Sequence, residues 1–141
     1  LKSGNVVVAD RYTSANMAHQ TSKLPAEKRE DFLNWLYEME YKEHKLPKED
    51  LVLFLHVPAE ISQKLLDKKS AKKNNAGKKD QAESDLEHQR QSIAMYKKLV
   101  KKFDHWRLIE CVENGKLLSK KKIHSKIIHA LQEQGVIESK E

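Results

Sequence analysis

Three short apolar runs constrain the fold of this chain more than any other feature: residues 5–9 (NVVVA), 51–57 (LVLFLHV) and 106–111 (WRLIEC). Their hydrophobicity is continuous rather than alternating, as expected of strands covered on both faces in a parallel sheet. Sequence of helical period separates them, so the expectation is an α/β fold of β-α-β units with flanking helices. A short helix is expected after the first run. Over residues 26–44, Phe32, Trp35, Leu36 and Met39 recur at helical spacing behind Pro25, which predicts a long helix with those four side chains inward. A shorter helix is expected after Pro58, with Ile61 and Leu65 inward. Ser84-Asp85-Leu86-Glu87 reads as a capping box launching a helix to about Phe103, with Leu86, Ile93, Tyr96, Leu99, Val100 and Phe103 on its inner face. Ser119 is the expected cap of a last helix that starts at Lys120 and ends before Gly135.

The chain has 141 residues, the size of one domain, and is 38% hydrophobic and 34% charged. No apolar stretch approaches the roughly 18 residues a membrane span needs, and no signal-peptide pattern opens the chain. It begins at Leu1, which leads to the expectation that an upstream segment is absent. A lone cysteine, Cys111, excludes an intrachain disulfide and fits a reducing, cytoplasmic setting. Net charge is +6, and the stretch from Lys64 to Lys79, with seven lysines and one aspartate, accounts for all of it. Such a run is either a solvated basic face or a polyanion contact. It contains no aromatic residue on which bases would stack, which counts against nucleic acid. With Asn74, Asn75 and Gly77 it reads as a loop over residues 68–82.

In an open α/β sheet, ligands sit beyond the carboxyl ends of the strands. Three places qualify: the stretch from Asp10 to Gln20, the start of the helix after Pro58, and residues 111–116. The first carries a carboxylate and a guanidinium immediately after an apolar run. Two readings stand side by side. In one, Asp10 and Arg11 pair with each other and close the strand end. In the other, Arg11 offers its planar fork to a phosphate, with Asp10 orienting it or a metal-bound water.

Asp10-Arg11-Tyr12-Thr13-Ser14-Ala15-Asn16-Met17-Ala18-His19-Gln20 resembles the motif of thymidylate kinases that opens Asp-Arg-Tyr and runs through small polar residues to Ala-x-Gln. Residues 46–55 (LPKEDLVLFL) resemble the same family's Pro-Asp-Leu strand, and residues 80–87 (DQAESDLE) with Met95-Tyr96 resemble the helix after its lid. The resemblance implies a partial P-loop nucleoside-monophosphate kinase fold over residues 1–141, with strands three to five of five. It implies phosphoryl transfer from ATP to dTMP, giving dTDP in nucleotide biosynthesis, with Mg²⁺ accompanying ATP and no protein metal ligand assigned. Asp10 and Arg11 would be catalytic. Arg11, Tyr12, Asn16, His19 and Gln20 would bind dTMP, with His19 where the family often has a tyrosine near the sugar. The basic loop would be the lid, with Lys72, Lys73, Lys78 and Lys79 in place of arginines on the ATP phosphates. A homodimer is expected, and Phe32, Trp35, Leu36 and Met39 could serve its interface.

The P-loop pattern G-x-x-x-x-G-K-[ST] is absent; the four glycines, at 4, 77, 115 and 135, do not have its spacing. In the family the first strand lies between the third and fourth, so the run at 5–9 would lose both neighbours. The chain alone is therefore expected to be inactive and to need a segment from the same or a partner chain. The alternatives are a kinase of another nucleoside monophosphate and a noncatalytic basic binding protein of kinase-like ancestry. Bland readings cover the rest: the seven histidines show no metal-ligand spacing, Trp35 and Trp106 read as core or partly buried anchors, and Cys111 as a small buried residue.

Overall fold

A computed structural model of the chain describes residues 4–70 and 79–138, with side chains left aside at 69, 70 and 79–84. Helix α1 (Thr13–Ser22) leads to a single 3₁₀ turn (Ala26–Lys28), which feeds α2 (Arg29–Tyr37). A π-helical segment (Glu38–Glu43) continues α2, with His44 N–H donating to Met39 O at 2.9 Å. Strand β1 (Val52–His56), α3 (Ala59–Ser70), α4 (Lys79–Lys102) and β2 (Trp106–Glu110) follow. A small hairpin, β3 (Val112–Glu113) and β4 (Lys116–Leu117), then precedes α5 (Lys120–Glu133).

Two of the three expected strands form, and they pair parallel in the register Val52↔Trp106 to His56↔Glu110. Period-two alternation sends their side chains into two cores. Val52, Tyr96 and Trp106 join Met17, Ala18, Leu33, Leu36, Met95 and Leu99 on the side of α1, α2 and α4. Leu53, Val57, Ile109 and Cys111 meet Ile123, Ile127 and Ala130 of α5 on the other. The sheet is thus covered on both faces, which explains why its strands read as continuous apolar runs.

The run at 5–9 departs from expectation. It is irregular backbone, and Val6, Val7 and Val8 are 57%, 66% and 89% exposed. Valine favours a strand only where it has a neighbour to pair with and a surface to cover. Among the described residues β1 pairs with β2 and no strand lies beside residues 5–9.

Four smaller expectations are corrected. Trp35 is 52% exposed and lies against Phe32 (ring centroids 5.5 Å), because Leu33 and Leu36 form the inward stripe of α2. Leu65, at 39% exposure, faces out, since α3 has only α4 to lean on among its stronger contacts. The capping box lies inside α4, which begins at Lys79; the strong helix formers upstream of Ser84 carry the helix past it. Residues 68–70 likewise close α3 and residues 79–82 open α4, so both ends of the basic stretch are helical rather than loop. Its middle, with Lys72, Lys73 and Lys78, lies outside the described residues, and Lys79 is described only as the first residue of α4.

At the far end, Ser119 caps α5 as its sequence implies, its hydroxyl accepting from Lys122 N–H at 3.3 Å. The β3–β4 turn uses Asn114 (φ 50°) and Gly115 (φ 72°), the left-handed pair a two-residue hairpin demands.

Candidate functional site

Helix α1 has no side-chain cap of its own and no acid in its first turn. Glu49, from the loop before β1, supplies both. One of its carboxylate oxygens accepts from Ser14 N–H (3.4 Å) and Thr13 Oγ1 (3.2 Å), and the other accepts from Tyr41 Oη. A carboxylate there neutralises the exposed N–H groups and the positive end of the helix dipole. Tyr41 Oη and Thr13 Oγ1 also lie 2.6 Å apart. Burial first, and then its bond to Glu49, push the Tyr41 phenol far above its ordinary ionisation range. Tyr12 Oη donates to Pro47 O at 3.1 Å. The first turn of α1 is therefore pinned to the segment between the π-helix and β1.

Arg11 precedes this turn in the left-handed region, at φ 69°. A side chain bearing a Cβ is strained there by about 1–2 kcal/mol. Arg11 is exposed, and no ion pair joins it to Asp10 among the described residues.

Asn16, His19 and Gln20 recur at i, i+3 and i+4, so they share one face of α1. Asn16 Nδ2 donates to Glu40 Oε1 at 3.4 Å, and Glu40 also meets His44 Nδ1 at 3.5 Å. The His19 ring meets the edge of Tyr96 (5.7 Å, 86°) and lies 5.9 Å from His88. Tyr96 in turn stacks on Phe54 of β1 at 4.5 Å and 9°. Burial first, then the charges of Arg11, His88 and Lys23, hold His19 below the usual histidine range. Burial raises the Tyr96 phenol, and Arg11 opposes that rise. Gln20 is exposed and accepts from Lys23 Nζ at 3.3 Å.

Of the residues singled out from sequence, Arg11 and His19 thus meet electrostatically around Tyr96. Asn16 stands on the same helix face but is directed at Glu40. Tyr12 is turned to Pro47, and Asp10 is exposed beside Arg11. Sequence reasoning missed Tyr41, Glu49, Glu40, His88, Ser92 and Phe54. Only Phe54 carried a signal, its place in a β-run; the others depend on contacts between segments distant in sequence.

At the carboxyl ends of the paired strands, buried His56 Nδ1 lies 2.7 and 2.9 Å from the two Glu110 carboxylate oxygens. The more open concavities lie elsewhere. One, of about 480 Å³, sits between the hairpin and the start of α5, and one of about 120 Å³ lies between α2 and α4. Both are shallow surface features, and neither is lined by a residue of α1. Among the described residues no three His, Cys, Asp or Glu side chains come close enough to hold a metal ion. No helix among them is long and apolar enough to cross a membrane.

No family model, no curated protein and no solved structure matches this chain.

Proposed function

We propose that residues 10–20 form the acceptor side of a thymidylate-kinase-like phosphotransferase, receiving dTMP for transfer of the ATP γ-phosphoryl to give dTDP. The observation that carries this reading is Arg11: an exposed guanidinium with no carboxylate partner among the described residues, set at a strained turn before α1, whose charge acts on His19 and Tyr96. Its fork suits a phosphate gripped by two parallel hydrogen bonds. Glu49 already occupies the α1 N-terminus, so a phosphate is repelled from the helix amides and directed to Arg11. Asn16 offers both a donor and an acceptor, the pattern a pyrimidine edge requires. The stacked pair Phe54–Tyr96 gives the site a rigid aromatic wall.

Phosphoryl transfer is mostly positioning and charge neutralisation, and the donor side needs a phosphate cradle that this sequence does not contain. On this reading the chain binds dTMP but does not turn it over alone. On the same reading Mg²⁺ arrives with ATP. The exposed Trp35, lying against partly buried Phe32, suits a second copy of the chain. His19, a ring where the resembled family often has a tyrosine, favours testing other acceptors beside dTMP.

Calorimetric titration with dTMP, its ribose counterpart and purine monophosphates tests the reading. dTMP is expected to bind best, and Arg11→Ala to weaken it by about ten- to a hundredfold, the loss of a charged hydrogen-bond pair. Absence of dTMP binding, or unchanged binding in Arg11→Ala, overturns it.

A further inference from the structure

Beneath His19 lie two buried hydroxyls that the acceptor reading does not use. Ser22 is 1% exposed and Ser92 3% exposed. Ser22 Oγ donates to His19 O at 2.9 Å, the carbonyl one turn back in α1. Ser92 Oγ, on α4, lies 3.3 Å from Ser22 Oγ and 3.3 Å from His19 Nδ1. A serine hydroxyl carries one proton. Ser22 has committed its proton to the carbonyl, so at the contact between the two hydroxyls Ser92 must be the donor. Having spent its own proton there, Ser92 can only accept at His19, and Nδ1 must carry hydrogen. With Nδ1 protonated, all three hydrogen bonds of the ring are made. With the proton on Nε2 instead, Ser92 turns to Nδ1 and the Ser92–Ser22 bond is lost. Both contacts of Ser92 are long for a hydroxyl, but burial away from water makes each lost bond costly.

We infer that Ser92 is a positioning residue: closed into a ring with Ser22, it holds His19 in the Nδ1–H form. Nε2, on the opposite side of the imidazole, is left with a lone pair for a hydroxyl or N–H donor of the bound nucleotide. Among the described residues nothing hydrogen-bonds Nε2. The charged and titratable groups facing the ring are Arg11 and Lys23 beside α1, and His88 with Tyr96 from α4; burial first, and then the charge of Arg11, favours the neutral ring. The tautomer follows from the hydroxyl ring alone, whereas the occupant of Nε2 rests on the acceptor-site reading.

Nitrogen NMR of the histidine rings, recorded above a pH of about 7.5 where His19 is neutral, decides the first half without any ligand. Nδ1 of His19 is expected in the protonated range and Nε2 in the lone-pair range; the reverse overturns the inference. Ser22→Ala gives the sharper readout. It touches no imidazole nitrogen, yet it frees the Ser92 proton to turn to Nδ1, so His19 should flip to its Nε2–H form. Ser92→Ala should also release the preference, and Ser92→Thr should keep it. If Ser22→Ala folds and leaves the tautomer unchanged, the relay is wrong; if the variants do not fold, the wild-type spectrum decides by itself. Addition of dTMP should then move the Nε2 signal toward the protonated range. Binding without that movement overturns the second half. No binding at all sinks the acceptor reading and the nucleotide clause with it, while the tautomer result stands separately.

Discussion

Arg11 shows how one residue can be costly to the fold and useful to the site. Its left-handed backbone suits glycine, which has no Cβ to strain. Arg11→Gly should therefore leave the chain as stable or up to about 1 kcal/mol more stable in chemical denaturation. The same change should weaken dTMP binding by about ten- to a hundredfold, as expected for Arg11→Ala, a separation that a purely structural arginine would not produce. Two histidines add a pH dependence whose sign is fixed. His19 and His105 are both held below the usual histidine range, by burial first and then by neighbouring cations, Lys48 in the case of His105. The unfolded chain then takes up protons more readily than the fold does. Their contribution is full above a pH of about 6.5 and declines as pH falls from there through the lower folded-state values. Thermal midpoints measured between about pH 7.5 and 5 should fall with pH, and the slope should flatten in the His19→Gln, His105→Gln double variant. Acting on rings that the fold keeps neutral, the substitution removes the term without removing a charge.

At the scale of elements, what was legible depended on whether a segment carries its own partners. Helices α1, α4 and α5 and strands β1 and β2 have apolar patterns that work wherever the chain places them, and residues 51–57 and 106–111 announced a doubly covered parallel pair. Residues 5–9 have the same composition, but a strand is a relation between two segments, and among the described residues no strand pairs with them. The capping box in α4 failed for a related reason: good helix formers upstream outweighed a local stop signal. The Asn114-Gly115 hairpin was legible and went unread. Within the site, Arg11 and His19 could be found from one segment. Glu49 and Ser92 could not, because each acts on α1 from elsewhere in the chain. Helices α4 and α3 differ in a testable way. Leu99 is fully buried in α4, whereas Leu65 of α3 is 39% exposed. Leu99→Ala should cost about 2–5 kcal/mol in denaturant unfolding, and Leu65→Ala under about 1 kcal/mol. Equal costs would mean that α3 is held as tightly as α4.

For the molecule as a whole, the same valines that have no strand partner among the described residues become its chief liability. Val6, Val7 and Val8 present β-branched side chains to water, and among the described residues β1 has an open edge opposite β2. An extended apolar segment and an unpaired strand edge are complementary, and two copies can satisfy each other by strand addition. Net charge opposes this. At +6 the copies repel one another over about a Debye length, roughly 10 Å in 0.1 M salt and 3 Å in 1 M salt. Association should therefore be weak in dilute buffer and rise with ionic strength, the reverse of what an assembly held by ion pairs would do. A lysine within residues 6–8 places a charge on the segment that would have to pair, as natural edge strands do. Val7→Lys should suppress the salt-promoted species in sedimentation velocity. Because Val7 is exposed and supports no core, its thermal midpoint should stay within about 1–2 °C of the parent, corresponding to a few tenths of a kcal/mol. Should Val7→Lys associate as readily as the parent chain, the contact lies elsewhere. The exposed Trp35 with its Phe32 neighbour is then the surface to substitute next, and a Trp35→Lys variant that turns monomeric would place the dimer on α2.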